Sequence, residues 1–186
     1  RITMMKPEGY DAAKEERSGV FQKLPSGAYT CKIVKAEEMV SNSGREMIRV
    51  SLDIEGGEYA HFFKDQYVAR KKRDEEAKWP CYYYQMADEQ AAGRLKGFLA
   101  IVAESNPRFT VQWGDGFEES LRGQLIGGGF REEEYIGTDN KVHTSVKCAW
   151  VIPTSEVETT AAPEPKKLEA PVNSGFGAAA YDDIPF

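Results

Sequence analysis

Residues 46–55 alternate in strict period two, with Ile48, Val50, Leu52 and Ile54 on one side and Met47, Arg49, Ser51 and Asp53 on the other. An extended chain points successive side chains to opposite faces, so this segment reads as a strand with one apolar and one polar face. The pattern continues before it. Leu24-Pro25-Ser26-Gly27 is a turn signal, and residues 28–40 read as a strand with Tyr29, Cys31 and Ile33 on one face and Thr30 and Lys32 on the other. Ser41-Asn42-Ser43-Gly44 joins the two as a hairpin, because Asn and Gly tolerate positive φ. Gly56-Gly57 turns again, and a third strand is expected at 58–64.

The pattern then changes. Asp88 is a candidate N-cap for a helix over 89–104, with an apolar stripe of Ala91, Leu95, Phe98, Leu99 and Val102. Asn106-Pro107 stops it. Two more strands follow at 124–136 and 141–152, joined by Gly137-Thr138-Asp139-Asn140. Gly127-Gly128-Gly129 suits a bulge or bend, and Phe130 and Trp150 are expected in the core. The order is three strands, a helix, then two strands. That order predicts a mainly β chain: a five-stranded OB-like Greek-key barrel with a helix between strands three and four.

Composition divides the chain. Residues 21–153 carry the strand and helix patterns and form the expected domain. Residues 1–20 are polar and charged and read as a flexible arm. From 154 to 180 the residues are mostly Thr, Ala, Pro, Glu, Gly and Ser, too poor in large apolar side chains to offset the entropy of ordering, so a disordered linker is expected. Residues 181–186 differ again: Asp182-Asp183-Ile184-Pro185-Phe186 sets two carboxylates beside an apolar tip. Such a tip can dock in a pocket lined by Arg or Lys on a partner protein.

The net charge is −6, from 24 Lys and Arg against 30 Asp and Glu. Nucleic-acid binders usually carry the opposite excess. The charge is unevenly spread, however. Residues 154–186 hold six acids and two bases, which leaves 24 acids against 22 bases in the rest. Within 64–73, Lys64, Arg70, Lys71, Lys72 and Arg73 face a single acid, Asp65. Aromatic residues interleave this run: Phe62, Phe63 and Tyr67 on one side, and Trp79, Tyr82, Tyr83 and Tyr84 on the other. Single-strand binding uses this mixture, because cations track phosphates while bases stack on rings. Lys32, Arg49 and Phe62 are expected opposite the core, where a binding groove would lie. The candidate DNA-binding set is therefore Lys32, Arg49, Phe62, Lys64, Tyr67, Arg70, Lys71, Lys72, Arg73, Trp79, Tyr82 and Tyr84.

The acidic tip closely resembles the C-terminal peptide of bacterial single-stranded-DNA-binding proteins. The body of the chain resembles phage and prophage single-stranded-DNA-binding proteins of the OB type. The matching phrases are Leu24-Pro25-Ser26-Gly27-Ala28-Tyr29, Ser43-Gly44-Arg45-Glu46-Met47, and Leu121-Arg122-Gly123-Gln124-Leu125 running on to Arg131-Glu132-Glu133-Glu134-Tyr135. They cover most of 24–152, and the segment 64–86 matches no part of that family. The resemblance implies sequence-independent binding of single-stranded DNA in phage replication and recombination, in the cytoplasm of a bacterial host. It also implies that replication and recombination proteins are recruited through Asp182, Asp183, Ile184, Pro185 and Phe186. A homo-oligomer is possible.

No catalytic constellation is apparent. His61 and His143 stand alone in strand patterns, and Gly127-Gly128-Gly129 lacks the Lys-Ser/Thr of a phosphate loop. Adjacent residues among Glu132-Glu133-Glu134 point to opposite faces. Cys31, Cys81 and Cys148 are far apart in sequence, with no Cys-x-x-Cys spacing for zinc and no disulfide framework. No enzyme activity, metal or cofactor is expected. Nor is a membrane span or signal peptide, because no apolar run is long enough. The alternative reading is a protein-binding replication or recombination accessory module without direct DNA contact.

Overall fold

β1 (Gly27–Val40) is the strand on which the sheet is built, because both its edges are paired. β2 (Glu46–Ile54) runs antiparallel to it from Cys31↔Ile54 to Val40↔Glu46. β4 (Leu125–Ile136) pairs with its first half, from Gly27↔Phe130 to Lys32↔Leu125. β3 (Tyr82–Met86) extends the sheet beyond β2, and β5 (Val142–Ile152) extends it beyond β4. The result is an open antiparallel sheet in the order β3-β2-β1-β4-β5. Its two edge strands, β3 and β5, approach one another without sharing a ladder. The computed structural model describes residues 5–12 and 23–169. The tip at 181–186 lies outside the described residues, as does most of the arm expected at 1–20.

The apolar side of β2 is buried as its alternation predicts, and Met47, Ser51 and Asp53 of the opposite side are buried as well. Ile48, Val50, Leu52 and Ile54 are all buried, with Cys31 and Ile33 of β1 and Ile126 and Phe130 of β4 beside them. Helix α2 (Ala92–Ser105) follows β3 and adds Phe98 and Val102 to this core. Burying each such side chain is worth roughly 1.5–3 kcal/mol. As expected, Asp88 caps the turn that leads into α2, accepting the amide of Ala91 at 2.9 Å. The Arg45 guanidinium holds its carboxyl below the usual aspartate range. At the other end, Asn106 donates to the carbonyls of Val102 and Leu125 at 2.8 Å and accepts the Leu125 amide at 2.9 Å. One side chain therefore closes α2 and fixes the start of β4. A short helix, α3 (Phe117–Leu121), adds Phe117 and Leu121.

Three expectations need correction. The third strand is not at 58–64 but at Tyr82–Met86, and helix α1 (Phe62–Lys71) takes the earlier place. The cause is a long-range bond set. His61 adopts φ 63°, and Asp53 of β2 then accepts the amides of Phe63 and Lys64, which starts a helix where the alternation favoured a strand. Second, Phe130 is buried but Trp150 is not in the core. β5 pairs Trp150 with Gly129 and Cys148 with Phe130, so Ala149 is an extra residue. That bulge reverses the parity of the strand: Val146 and Cys148 turn inward, and Trp150 lies on the outer face. A Cβ on Gly129 would overlap the indole ring, so the glycine run serves close approach as well as bending. Third, residues 154–169 of the expected linker are held. Thr154 donates to Ser105 Oγ at 3.0 Å, and the 166 backbone bonds to both Glu132 and Glu134 at 2.9 Å. β1 begins at Gly27, opposite Phe130, so β4 beyond that point has a free edge that this segment covers.

The cysteines, distant in sequence, share the interior of the sheet. Burial pushes the Cys148 thiol up to about 12 and moves Cys31 and Cys81 well above their ordinary value of 9.0. The folded state thus favours neutral thiols. The thiols' contribution to stability should be fully present below about pH 8 and be lost as the pH rises beyond it, because the unfolded chain ionises first. In native protein near pH 8, Ellman's reagent should react slowly with all three and promptly after denaturation. Gly129→Ala should lower stability by about 1–3 kcal/mol in urea unfolding, and the loss should shrink when Trp150→Ala is added.

Candidate nucleic-acid interface

The outer face of β2 carries Arg49, Ser51 and Asp53. Directly opposite them on β3 stand Tyr84 and Tyr82, paired with Arg49 and Ser51. The Arg49 guanidinium lies 4.9 Å from the Tyr82 ring centre, and the Tyr82 and Tyr84 rings are 6.2 Å apart. On β1, Glu37 faces Arg49 and accepts its Nη2 at 2.9 Å, while Lys35 donates to the same carboxylate at 2.6 Å. Lys35 and, against the pull of burial, Arg49 hold the Glu37 carboxyl below the usual range. Lys32 is likewise paired, to Glu55 at 3.0 Å. Both strand cations expected to meet phosphate are therefore already neutralised by a carboxylate. What remains on this face is a guanidinium-backed pair of half-exposed tyrosine rings.

Free positive charge lies on α1 and the turn after it. Among the described residues, none of Lys64, Arg70, Lys71, Lys72 and Arg73 forms an ion pair, and all are exposed. Asp74, Glu75 and Glu76 do not neutralise them. Asp74 instead accepts the Glu76 amide at 2.9 Å, and Lys71 Nζ donates to the Glu75 carbonyl at 2.6 Å. Arg70 and Lys71 sit in the last turn of α1, where cations stabilise the helix dipole.

Two devices fix α1 to the sheet. The buried Asp53 carboxylate accepts the amides of Phe63 at 3.0 Å and Lys64 at 3.2 Å, besides that of Ile54 at 3.0 Å. Two amides at the start of the helix thus find a partner outside it. Phe63 turns inward and stacks on Phe130, with ring centres 5.8 Å apart. On the other side, Tyr67 packs against Trp79 at 5.2 Å, and the Trp79 indole N–H donates to the Leu52 carbonyl at 2.8 Å. Trp79 precedes β3, so this bond ties the loop after α1 to the same strand that carries Arg49.

The sequence-predicted residues thus separate into groups. Tyr82 and Tyr84 form the ring pair, with Arg49 behind them. Lys64, Arg70, Lys71, Lys72 and Arg73 form the cationic segment. Tyr67 and Trp79 join that segment to the sheet and are half-buried between the two. Phe62 is corrected: it opens a helix rather than facing out from a strand, and it packs edge-on against Tyr59 and Phe63 at 6.2 and 5.3 Å. Sequence reasoning missed Trp150, whose ring lies over Gly129 on the outer face, and Lys147, which sits beside it opposite Arg131. The bulge at Ala149 hid Trp150, which lies after it, although the Gly-rich partner strand was its sequence signal. Among the described residues, no group of three His, Cys, Asp or Glu side chains is placed to hold a metal, and no helix is long and apolar enough to cross a membrane.

Residues 9–90 are similar to a family described as "Protein of unknown function (DUF669)". That stretch contains β1, β2, α1 and β3, and hence every sequence-predicted surface residue from Lys32 to Tyr84. No curated protein matches the chain. Asp53→Ala should cost about 1–3 kcal/mol, because it strands buried amides. It should also raise amide exchange first at Phe63 and Lys64. Unchanged exchange there would contradict the role given to Asp53.

Proposed function

We propose that this protein binds single-stranded DNA without sequence preference and performs no chemistry of its own. The observation that carries this reading is the pair of half-exposed tyrosine rings on β3 backed by Arg49, together with a cationic helix, without ion pairs among the described residues, packed on the neighbouring strand β2. Bases stack on ring faces at roughly 1–3 kcal/mol each, and cations track the phosphates between them. Because Glu37 and Glu55 neutralise Arg49 and Lys32, stacking contributes affinity on the sheet and charge contributes it on α1.

The strand order supports the same reading. An antiparallel sheet β3-β2-β1-β4-β5 with a helix between β3 and β4 has the order of a five-stranded Greek-key barrel opened between β3 and β5. We read it as OB-like, a fold whose β2–β3 face holds oligonucleotides. The setting implied by the family resemblance is phage replication and recombination in a bacterial cytoplasm. There Asp182, Asp183, Ile184, Pro185 and Phe186 would bring partner enzymes to the coated strand.

Intrinsic tryptophan fluorescence titrated with oligo-dT at two salt concentrations tests the reading. Quenching is expected at low salt and should weaken as salt rises, because phosphate contacts release counterions. Replacing Arg70, Lys71, Lys72 and Arg73 by Gln should reduce the slope of log K against log salt, by about one for each phosphate that these cations neutralise. Absence of both quenching and a mobility shift at low salt would sink DNA binding and leave the accessory-module reading. Deleting 182–186 should preserve DNA binding while abolishing capture of partner enzymes.

A further inference from the structure

The β1–β2 hairpin and the turn before α3 enclose an open cleft of about 380 Å³, at the end of β2 away from α1. Met39, Met47, Ile48 and Leu95 line it, and Trp113 and Phe117 form one wall. The two rings stack at 5.4 Å with an interplanar angle of 16°, so the indole has a fixed orientation. Yet Trp113 is 66% exposed, and Val40 on the opposite wall is 61% exposed. An ordered, exposed tryptophan over an apolar cleft is the usual form of a protein-binding anchor site.

The charge around the cleft specifies the partner. Glu38 and Glu46 line it, and Asp115 and Glu118 stand beside Trp113 and Phe117 in sequence. No lysine or arginine lines it, and among the described residues none of these four carboxylates forms an ion pair. Glu118 Oε1 instead accepts the Glu38 amide at 2.6 Å, which fixes α3 against β1 and gives the rim a set shape. Nucleic acid is repelled by such a rim. An apolar side chain flanked by Lys or Arg satisfies both parts of it.

We infer that this cleft is a docking site for a basic, apolar peptide segment of a partner protein. The site is separate from the cationic helix and does not rest on the DNA-binding reading. The test uses a short fluorescein-labelled peptide in which Leu and Phe are flanked by Lys, with a Glu-flanked peptide as control. Fluorescence anisotropy with the full chain should show salt-sensitive binding of the Lys-flanked peptide alone. Trp113→Ala and, separately, Glu46→Lys should each weaken it by at least about tenfold, the loss expected for an interface anchor. Both side chains are exposed, and circular dichroism checks that the variants fold. The proposal is overturned if neither peptide binds, if both bind equally, or if Trp113→Ala has no effect. It is also overturned if sedimentation shows a dimer that Trp113→Ala dissociates, since a second copy would then cover the cleft.

Discussion

The carboxylate of Asp53 lies buried at the end of β2 and accepts amides from its own strand and from the first turn of α1. A charged group out of water persists only when fully hydrogen-bonded, so the helix cannot leave without exposing or stranding it. Much of the molecule's architecture follows from that attachment. It ends the strand pattern, starts a helix, delivers Phe63 to Phe130 in the core, and anchors at the end of β2 the helix and following turn that carry five cations.

Charge is thereby sorted along one strand. At the Asp53 end of β2 lies the cationic helix; at the Glu46 end lies the acid-rimmed cleft around Trp113. Between them, Arg49 is held by Glu37 and backs Tyr82 rather than standing free. The acidic total of the chain is therefore no argument against a polyanionic ligand. What matters is that Glu37 and Glu55 on the outer face are already engaged with cations, whereas the carboxylates near the Trp113 cleft are not.

The strands with clean alternation were legible in the sequence: β2, most of β1, and the apolar stripe of α2 stand where their periodicity puts them. What was hidden came from two physical sources. Bulges add one residue and reverse every later side chain, which is why Trp150 reads as core in the sequence and lies outside in the structure. Long-range bonds override local pattern, which is why 58–64 reads as a strand and Asp53 makes much of it a helix. The same applies to 154–169, whose composition gives no hint that an unpaired edge of β4 waits for it. The cationic run and the tyrosines were visible as residue types. Their separation into a ring pair and an unpaired helix required the fold.

The most direct test of this account is ultraviolet cross-linking of the full chain to oligo-dT, with the adducts mapped by mass spectrometry. Adducts at Tyr82 or Tyr84, abolished when Asp53→Ala releases α1, are the predicted result. Cross-links confined to Trp113 or its neighbours, or none at low salt, would contradict it.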